Sequence, residues 1–222
     1  MTARPVLYVL AGVNGAGKSS IGGYLLEQWG LTWFNPDTFA RELIDDTGCD
    51  QGEANAAAWR EGMRRLDDAV LHGTHYALET TLGGRTVPAK IMAATKTHDV
   101  LVWFCGLSSP EQHIARVRAR VTAGGHDIPE AKIRERYFTT LENFISLMPH
   151  LGHLQIYDNS IEVERHKAIP DPMLVAVMEA GRLTSPLPDD IAALERTPDW
   201  AKPLLEAALF DAKHLHLRTS YE

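Results

Sequence analysis

The stretch Gly12-Val13-Asn14-Gly15-Ala16-Gly17-Lys18-Ser19 decides the fold of this 222-residue chain. It fills every position of the pattern G-x-x-x-x-G-K-[ST] and follows directly on the apolar run of residues 6–11. A buried strand that leads into such a loop lets backbone N–H groups turn inward around phosphates, with the lysine at the terminal phosphates and the serine hydroxyl on Mg²⁺. The stretch therefore predicts a nucleoside-triphosphate site in which Ser19 binds Mg²⁺.

The helix predicted after this loop supports the same interpretation. Ser19 and Ser20 open it, and its positive N-terminal end favours an anion. The alternative is a glycine-rich turn before an ordinary helix, but the face formed by Ile21, Tyr24 and Leu25 has the spacing that the motif requires of its context. The residues that we assign to the nucleotide in this loop are Gly12, Asn14, Gly15, Ala16, Gly17, Lys18, Ser19 and Ser20.

Composition limits the class of protein. The length suits one principal α/β domain. No charged segment precedes a long apolar stretch, which predicts no membrane span and a cytoplasmic location. The two cysteines, Cys49 and Cys105, imply no disulfide framework. A net charge of −7 argues against nucleic acid as a partner, because such binding relies on a basic surface.

Apolar runs alternate with helical patterns over residues 1–160. The runs predicted as strands are 6–11, 31–35, 76–79, 100–106 and 154–157. This alternation predicts a mostly parallel sheet with ligands at the carboxyl ends of its strands. A further strand is predicted at 173–178, with a turn at Ala180-Gly181, and residues 189 onward are predicted to be helical.

Two acidic residues follow predicted strands. Asp37 could accept a proton from an acceptor hydroxyl, or it could cap the helix that follows, since aspartate is a favoured capping residue. Glu79 could form hydrogen bonds in a cleft, or it could be a partly exposed acid at a strand end. The residues alone leave both alternatives open.

Basic residues are concentrated between residues 111 and 136. This segment has six basic and four acidic residues, whereas the rest of the chain has 16 basic and 25 acidic ones. Arg116 and Arg120 share one helix face beside Gly124-Gly125, and Arg136 lies on a polar stripe of the next helix. The arrangement fits a mobile lid that closes positive charge over a triphosphate. A solvent-facing charged helix is the alternative.

These motifs together resemble the zeta-toxin-like P-loop kinases, in particular the stand-alone bacterial branch. The match covers roughly residues 5–160 and keeps the motifs in order, so it is more specific than the loop alone. The motifs are Gly12 to Ser20, Phe34-Asn35-Pro36-Asp37, Leu78-Glu79-Thr80-Thr81-Leu82, Arg116-Val117-Arg118-Ala119-Arg120-Val121, Gly124-Gly125-His126-Asp127-Ile128-Pro129 and Tyr157-Asp158-Asn159-Ser160.

The resemblance implies a three-layer α/β P-loop kinase fold with a helical, arginine-bearing lid at about 110–136. It implies that Asp37 is the general base and that Glu79 and Thr81 contact the acceptor. We extend the acceptor site to neighbours in the same loop and assign Asn159 to the nucleotide. The predicted catalytic residues are Asp37, Lys18, Arg120, Arg116 and Arg136, and the predicted acceptor-binding residues are Glu79, Thr80, Thr81 and Arg85.

The expected activity is Mg²⁺-dependent transfer of the γ-phosphoryl group of ATP or GTP to a hydroxyl of a small molecule. The founding toxins phosphorylate UDP-N-acetylglucosamine and have an antitoxin partner; a nucleotide sugar is therefore the leading acceptor here, while nothing in the sequence indicates an antitoxin. The alternative is a slow nucleotide-hydrolysing switch that has a protein partner and no small acceptor. Residues 161–222 form an extension, expected to pack on the same domain, to which the sequence assigns no role.

Overall fold

The structure, a computed structural model, describes residues 3–19, 22, 33–161 and 171–219. Several predictions fall outside these ranges. They concern Ser20 as a nucleotide ligand, the helix face that begins at Ile21, and the first two residues of the strand predicted at 31–35. Within the part of the chain that is described, no helix is both long and apolar enough to cross a membrane.

The centre of the molecule is a parallel sheet. Its four parallel strands lie in the order β2, β1, β3 and β4, and their runs of apolar residues are buried because helices cover a sheet of this kind on both faces. The alternation of strands and helices thus predicted the sheet correctly. The bounds of these strands are Val6–Ala11 for β1, Tyr76–Thr80 for β2, Asp99–Gly106 for β3 and His153–Asp158 for β4.

Two antiparallel strands extend the sheet beyond β4. They are β5, Met173–Glu179, and β6, Arg182–Ser185, joined by a turn at Ala180-Gly181. Both turn residues have positive φ, 48° at Ala180 and 72° at Gly181. The strand and the turn predicted for this part of the extension are confirmed.

The prediction of a strand at 31–35 is wrong for residues 33–35, which form a single β-bridge instead of a strand. Phe34 pairs in parallel with Leu78: its N–H donates to the Ala77 carbonyl at 2.8 Å, and its carbonyl accepts from Glu79 N at 2.9 Å. The pairing stops there because Asn35 already caps the next helix and Pro36 has no N–H to donate. Phe34 still brings Asn35 to the carboxyl edge of the sheet.

Helices occupy most of the remaining described residues. Two 3₁₀ turns, Met148–His150 and Asp199–Ala201, accompany them. The helices are α1 (Pro36–Thr47), α2 (Gln51–His72), α3 (Thr86–Ala94), α4 (Pro110–Thr122), α5 (Glu130–Leu147), α6 (Ile191–Glu195) and α7 (Lys202–Thr219).

The main core lies between the sheet and helices α5 and α7. The Phe104 ring stacks on Phe144 with centroids 4.1 Å apart, and on Trp200 at 6.2 Å. Leu204 of α7 is completely buried in the same cluster. Each such side chain stabilises the fold by about 1.5–3 kcal/mol. The extension after residue 170 therefore shares a core with the sheet.

Candidate active site

The glycine loop directly follows β1 and encloses its lysine. Lys18 is only 7% exposed, and its Nζ donates to the Val13 carbonyl at 3.4 Å. The loop turns at Gly17, whose φ of 86° favours glycine, and a Cβ there would lie 2.5 Å from Asn159 Nδ2. Asn159 Nδ2 in turn donates to the Ala16 carbonyl at 2.9 Å. The loop and the segment after β4 are thus packed directly together.

Asn14 ties the glycine loop to both helices of the predicted lid. Its Oδ1 accepts from Arg136 Nη1 of α5 at 2.8 Å, and its backbone carbonyl accepts from His113 Nδ1 of α4 at 2.8 Å. His113 is 1% exposed, and burial lowers its pKa to about 4. The ring is therefore neutral at neutral pH, with the proton on Nδ1 because a carbonyl oxygen only accepts. The sequence analysis did not single out His113.

A small polar cluster lies where the glycine loop meets β2. Ser19 Oγ donates to Glu79 Oε2 at 2.9 Å, and Lys18 Nζ lies 3.5 Å from Glu79 Oε1. Asn35 Nδ2 donates to the same Oε2 at 2.9 Å. The Glu79 side chain is only 11% exposed. The carboxylate thus contacts both functional side chains of the motif, Ser19 and Lys18. The prediction that Glu79 contacts the acceptor did not include these contacts.

The donor set of this cluster fits a magnesium ion. Mg²⁺ prefers oxygen ligands and commonly takes one or two protein groups together with substrate phosphates and water. Ser19 offers a hydroxyl and Glu79 a carboxylate, while Asn35 donates to both from its amide nitrogen because its Oδ1 caps the next helix. The sequence does not indicate Asn35 as a site residue, because its contact with Glu79 joins residues that are 44 positions apart in the chain.

Asp37 is not the cap of the helix on which it lies. The N-cap of α1 is Asn35, whose Oδ1 accepts from the backbone N–H groups of Asp37 and Thr38 at 2.9 and 3.1 Å. The capping alternative for Asp37 is therefore wrong. Its half-exposed carboxylate instead faces the predicted lid, with Oδ2 3.7 Å from Arg120 Nη1 and Oδ1 3.9 Å from His126 Nε2.

The three arginines of the predicted lid have different surroundings. Arg120 also donates to the His126 carbonyl at 3.3 Å, which keeps it beside Asp37. Arg136 reaches Asn14 inside the cleft. Arg116 points to the segment after β4, where its Nη2 donates to the Asn159 carbonyl at 2.5 Å. The structure therefore brings Arg120 to Asp37 and Arg136 to the glycine loop, and it leaves Arg116 on the Asn159 side.

The loop from Thr80 to Arg85 is held by the polar stripe of α5. Thr140 Oγ1 donates to the Thr81 carbonyl at 2.7 Å, and Asn143 Nδ2 donates to the Leu82 carbonyl at 2.7 Å. The Thr80 and Thr81 hydroxyls accept from backbone N–H groups two residues on, which leaves each hydroxyl proton free to donate elsewhere. The loop is thus a fixed wall that offers hydroxyl groups.

One cleft of about 690 Å³ connects these groups. Lys18, Glu79 and Asp37 lie along it, and so do Trp59 and the exposed Arg85. The volume is within the range of pockets that hold small molecules. Asn14 and Lys18 of the glycine loop, Asp37 and the loop after β2 thus border a single space.

Trp59 is the main surprise in the cleft wall. It has the apolar helical spacing of Met63 and Leu66, which are buried, yet it is 50% exposed. At this end of α2 the buried positions belong to small residues, Ala54, Ala58 and Gly62, which pack on α1 and Phe34.

Comparisons with known proteins agree with this architecture. No family model matches the chain. An uncharacterized protein of Haemophilus influenzae is 25% identical over 138 residues, which cover 62% of this chain and 94% of that protein. The crystal structure of AvrRxo1-ORF1:-ORF2 with ATP has a TM-score of 0.64 at 15% identity, with 89% of this chain and 65% of that chain covered.

A further solved structure, of the PezAT toxin–antitoxin system of Streptococcus pneumoniae, has a TM-score of 0.50 at 14% identity and covers 78% of this chain and 72% of that one. This chain spans less than two thirds of the AvrRxo1 chain. The α/β fold, with the glycine loop after β1, is similar to that of P-loop kinase-like proteins.

Proposed function

We propose that this protein is a Mg²⁺-dependent kinase that transfers the γ-phosphoryl group of ATP or GTP to a hydroxyl of a small molecule. The observation that carries the proposal is that Asp37, which has no capping role, borders the same cleft as Lys18 of the glycine loop. A phosphate-binding loop needs such a base for an acceptor hydroxyl to perform phosphoryl transfer. The likeness to P-loop kinase-like folds supports the coarser assignment of a nucleotide-dependent phosphotransferase.

In the proposed reaction the acceptor oxygen forms a bond to the γ-phosphorus while the bond to the β,γ-bridging oxygen breaks. Asp37 takes the hydroxyl proton, and the nucleoside diphosphate leaves with the bridging oxygen. Lys18 and the backbone N–H groups of the loop bind the phosphates, and Arg120 and Arg136 supply positive charge near them. Ser19 and Glu79 would hold Mg²⁺, which neutralises phosphate charge when bound, and Asn35 would orient the Glu79 carboxylate.

The acceptor is proposed to lie in the half of the cleft between Asp37 and the wall formed by Thr80, Thr81, Arg85 and Trp59. The resemblance to zeta-toxin-like kinases makes a nucleotide sugar the first candidate. The hydroxyl groups of the wall suit a polyhydroxylated molecule, and the exposed indole suits a ring that stacks on it.

Product analysis tests the proposal. The protein is incubated with Mg²⁺, ATP and a metabolite extract, and new phosphorylated species are sought by mass spectrometry. We expect a metabolite to gain one phosphate while an equal amount of ADP forms. Formation of ADP and inorganic phosphate alone, with every metabolite unchanged, would refute the kinase assignment and favour a hydrolysing switch.

Glu79→Ala is expected to lower both transfer to the acceptor and basal ATP hydrolysis by about 10²-fold, the scale of losing a preorganised charged group. The reason is that its carboxylate contacts Ser19 and Lys18, so the change affects the metal and the phosphates. Steady-state kinetics with and without acceptor measure the two effects.

The matched control is Glu135→Ala, which removes another glutamate of the cleft wall that is mostly exposed and lies 3.8 Å from Lys132 Nζ. It should leave basal hydrolysis within a few-fold of wild type. A Glu79→Ala variant with normal hydrolysis and a raised acceptor KM would return Glu79 to the acceptor site and contradict the metal role.

Trp59→Ala is expected to raise the KM for the acceptor about 3- to 10-fold, because a stacked aromatic contact contributes about 0.5–1.5 kcal/mol beyond area burial. The KM for ATP should stay unchanged. Phe138→Ala is the control, since Phe138 is similarly exposed (59%) but does not line the cleft. If the two substitutions raise the KM for the acceptor equally, Trp59 makes no specific contact with it.

A further inference from the structure

The C-terminal extension reaches the segment after β4 through one tryptophan. Trp200 is 6% exposed and lies in the 3₁₀ turn Asp199–Ala201. Its ring stacks on Phe104 and packs so closely on Gly106 that a Cβ there would lie 2.2 Å from the indole. Position 106 therefore accommodates no side chain, and Trp200 is fixed against the carboxyl end of β3.

The indole N–H of Trp200 binds a buried carboxylate. Nε1 donates to Asp158 Oδ1 at 3.0 Å, and Asp158 is 8% exposed. The same oxygen accepts from the backbone N–H of Ser160 at 3.1 Å and from its hydroxyl. A buried carboxylate that loses a donor is strongly disfavoured, so the segment would shift to find another partner.

The residue next to Asp158 contacts the glycine loop. Asn159 N donates to the Gly106 carbonyl at 3.0 Å, and its Nδ2 donates to the Ala16 carbonyl at 2.9 Å. Trp200 therefore contacts the chain neighbour of Asn159, Asp158, through a hydrogen bond, and it packs on Gly106, whose carbonyl accepts from Asn159 N. A contiguous chain of contacts leads from the extension to the loop that we propose binds phosphates.

We infer that Trp200 is a positioning residue for the nucleotide site, acting through Asp158 and Asn159 on the glycine loop. The extension then contributes to nucleotide binding as well as to the core. This inference rests on the proposed function in that it requires the loop to bind ATP.

ATP binding by the full chain, measured by calorimetry with Mg²⁺ at a temperature where every variant is folded, tests the inference. Trp200→Phe keeps an aromatic ring against Phe104 but removes the N–H, and we expect it to weaken ATP binding about 5- to 20-fold. Leu204→Ala is the matched control, because it removes a buried core side chain of the same extension that cannot donate a hydrogen bond to Asp158. It should lower thermal stability and leave ATP affinity unchanged.

The double variant separates positioning from general destabilisation. In the Asn159→Ala background, Trp200→Phe should lower ATP affinity by less than about a further twofold. Both substitutions act through the same chain of contacts, and the effects of such substitutions are not additive. Fully additive losses would overturn the inference. So would an unchanged affinity of Trp200→Phe, or an equal loss in the Leu204→Ala control.

The inference and the proposed function fail in distinguishable ways. If the wild-type protein binds no ATP, the proposed function is wrong and the inference with it; if it binds ATP and Trp200→Phe binds equally well, the inference alone is wrong. Should Trp200→Phe not fold, Ser160→Ala takes its place, because it removes the other side-chain donor to Asp158. We then expect about a threefold loss of affinity, and an unchanged value would overturn the inference.

Discussion

Lys18→Ala is expected to abolish phosphoryl transfer, with a loss of at least about 10³-fold in kcat, since the ammonium group stabilises the negative charge of the phosphates during transfer. The fold should remain, because the contacts of Lys18 with described residues are long, at 3.4 Å to the Val13 carbonyl and 3.5 Å to Glu79. Single-turnover kinetics at saturating Mg²⁺ and ATP measure the effect, and circular dichroism checks the fold.

Lys96→Ala is the control for this substitution. Lys96 is exposed just after α3 and has no part in the cleft, so its replacement should leave turnover at the wild-type level. Near wild-type turnover of Lys18→Ala would mean that the glycine loop is not the site of transfer.

Asp37→Asn is expected to lower kcat for transfer by about 10²-fold or more, the usual loss when a positioned general base is removed. An amide has nearly the same shape but cannot take the hydroxyl proton. Nucleotide binding should be retained, because the glycine loop does not include Asp37. Helix α1 should be unaffected, since Asn35 forms its cap. Acceptor-dependent turnover and ATP affinity, measured separately, check both parts.

Asp46→Asn makes the same chemical change at an exposed position of the same helix, near its other end. It should leave both turnover and ATP affinity unchanged. A full rate in Asp37→Asn would show that another group accepts the proton, and His126, 3.9 Å from the Asp37 carboxylate, would then be the nearest alternative to test.

The parallel sheet was predictable because the signals were local. The runs at residues 6–11 and 100–106 are continuously apolar, as strands buried on both faces require; the first leads into Gly12 and the second ends at Gly106. The hairpin of β5 and β6 was signalled by Ala180-Gly181 in the same way. The glycine loop predicted the phosphate site from eight consecutive residues.

Other features depended on competing local signals that the sequence does not rank. Asn35 and Asp37 are both good capping residues, and only the position where Phe34 leaves the sheet decides that Asn35 forms the cap. Trp59 has the stronger hydrophobicity, but Ala54 and Ala58 occupy the buried face because α1 packs closely there.

The contacts that assemble the site could not be predicted, because they join residues far apart in the chain. Arg136 reaches Asn14 over 122 positions, His113 reaches its carbonyl over 99, and Asn159 reaches Ala16 over 143. No periodicity relates such pairs. The sequence therefore supplied candidate residues but not their contacts, such as those of Glu79 with Ser19 and Lys18 or that of Trp200 with Asp158.

The most direct test of the account is the fate of the γ-phosphate in the presence of an acceptor fraction from the metabolite extract. ATP labelled at the γ-phosphate is incubated with the wild-type protein, and the label is divided by chromatography into inorganic phosphate and organic phosphate ester. The account predicts that most of the label enters one phosphate ester, in equal amount with ADP, and that Asp37→Asn loses this product. Recovery of the label only as inorganic phosphate, whatever acceptor is present and equally in both proteins, would contradict it.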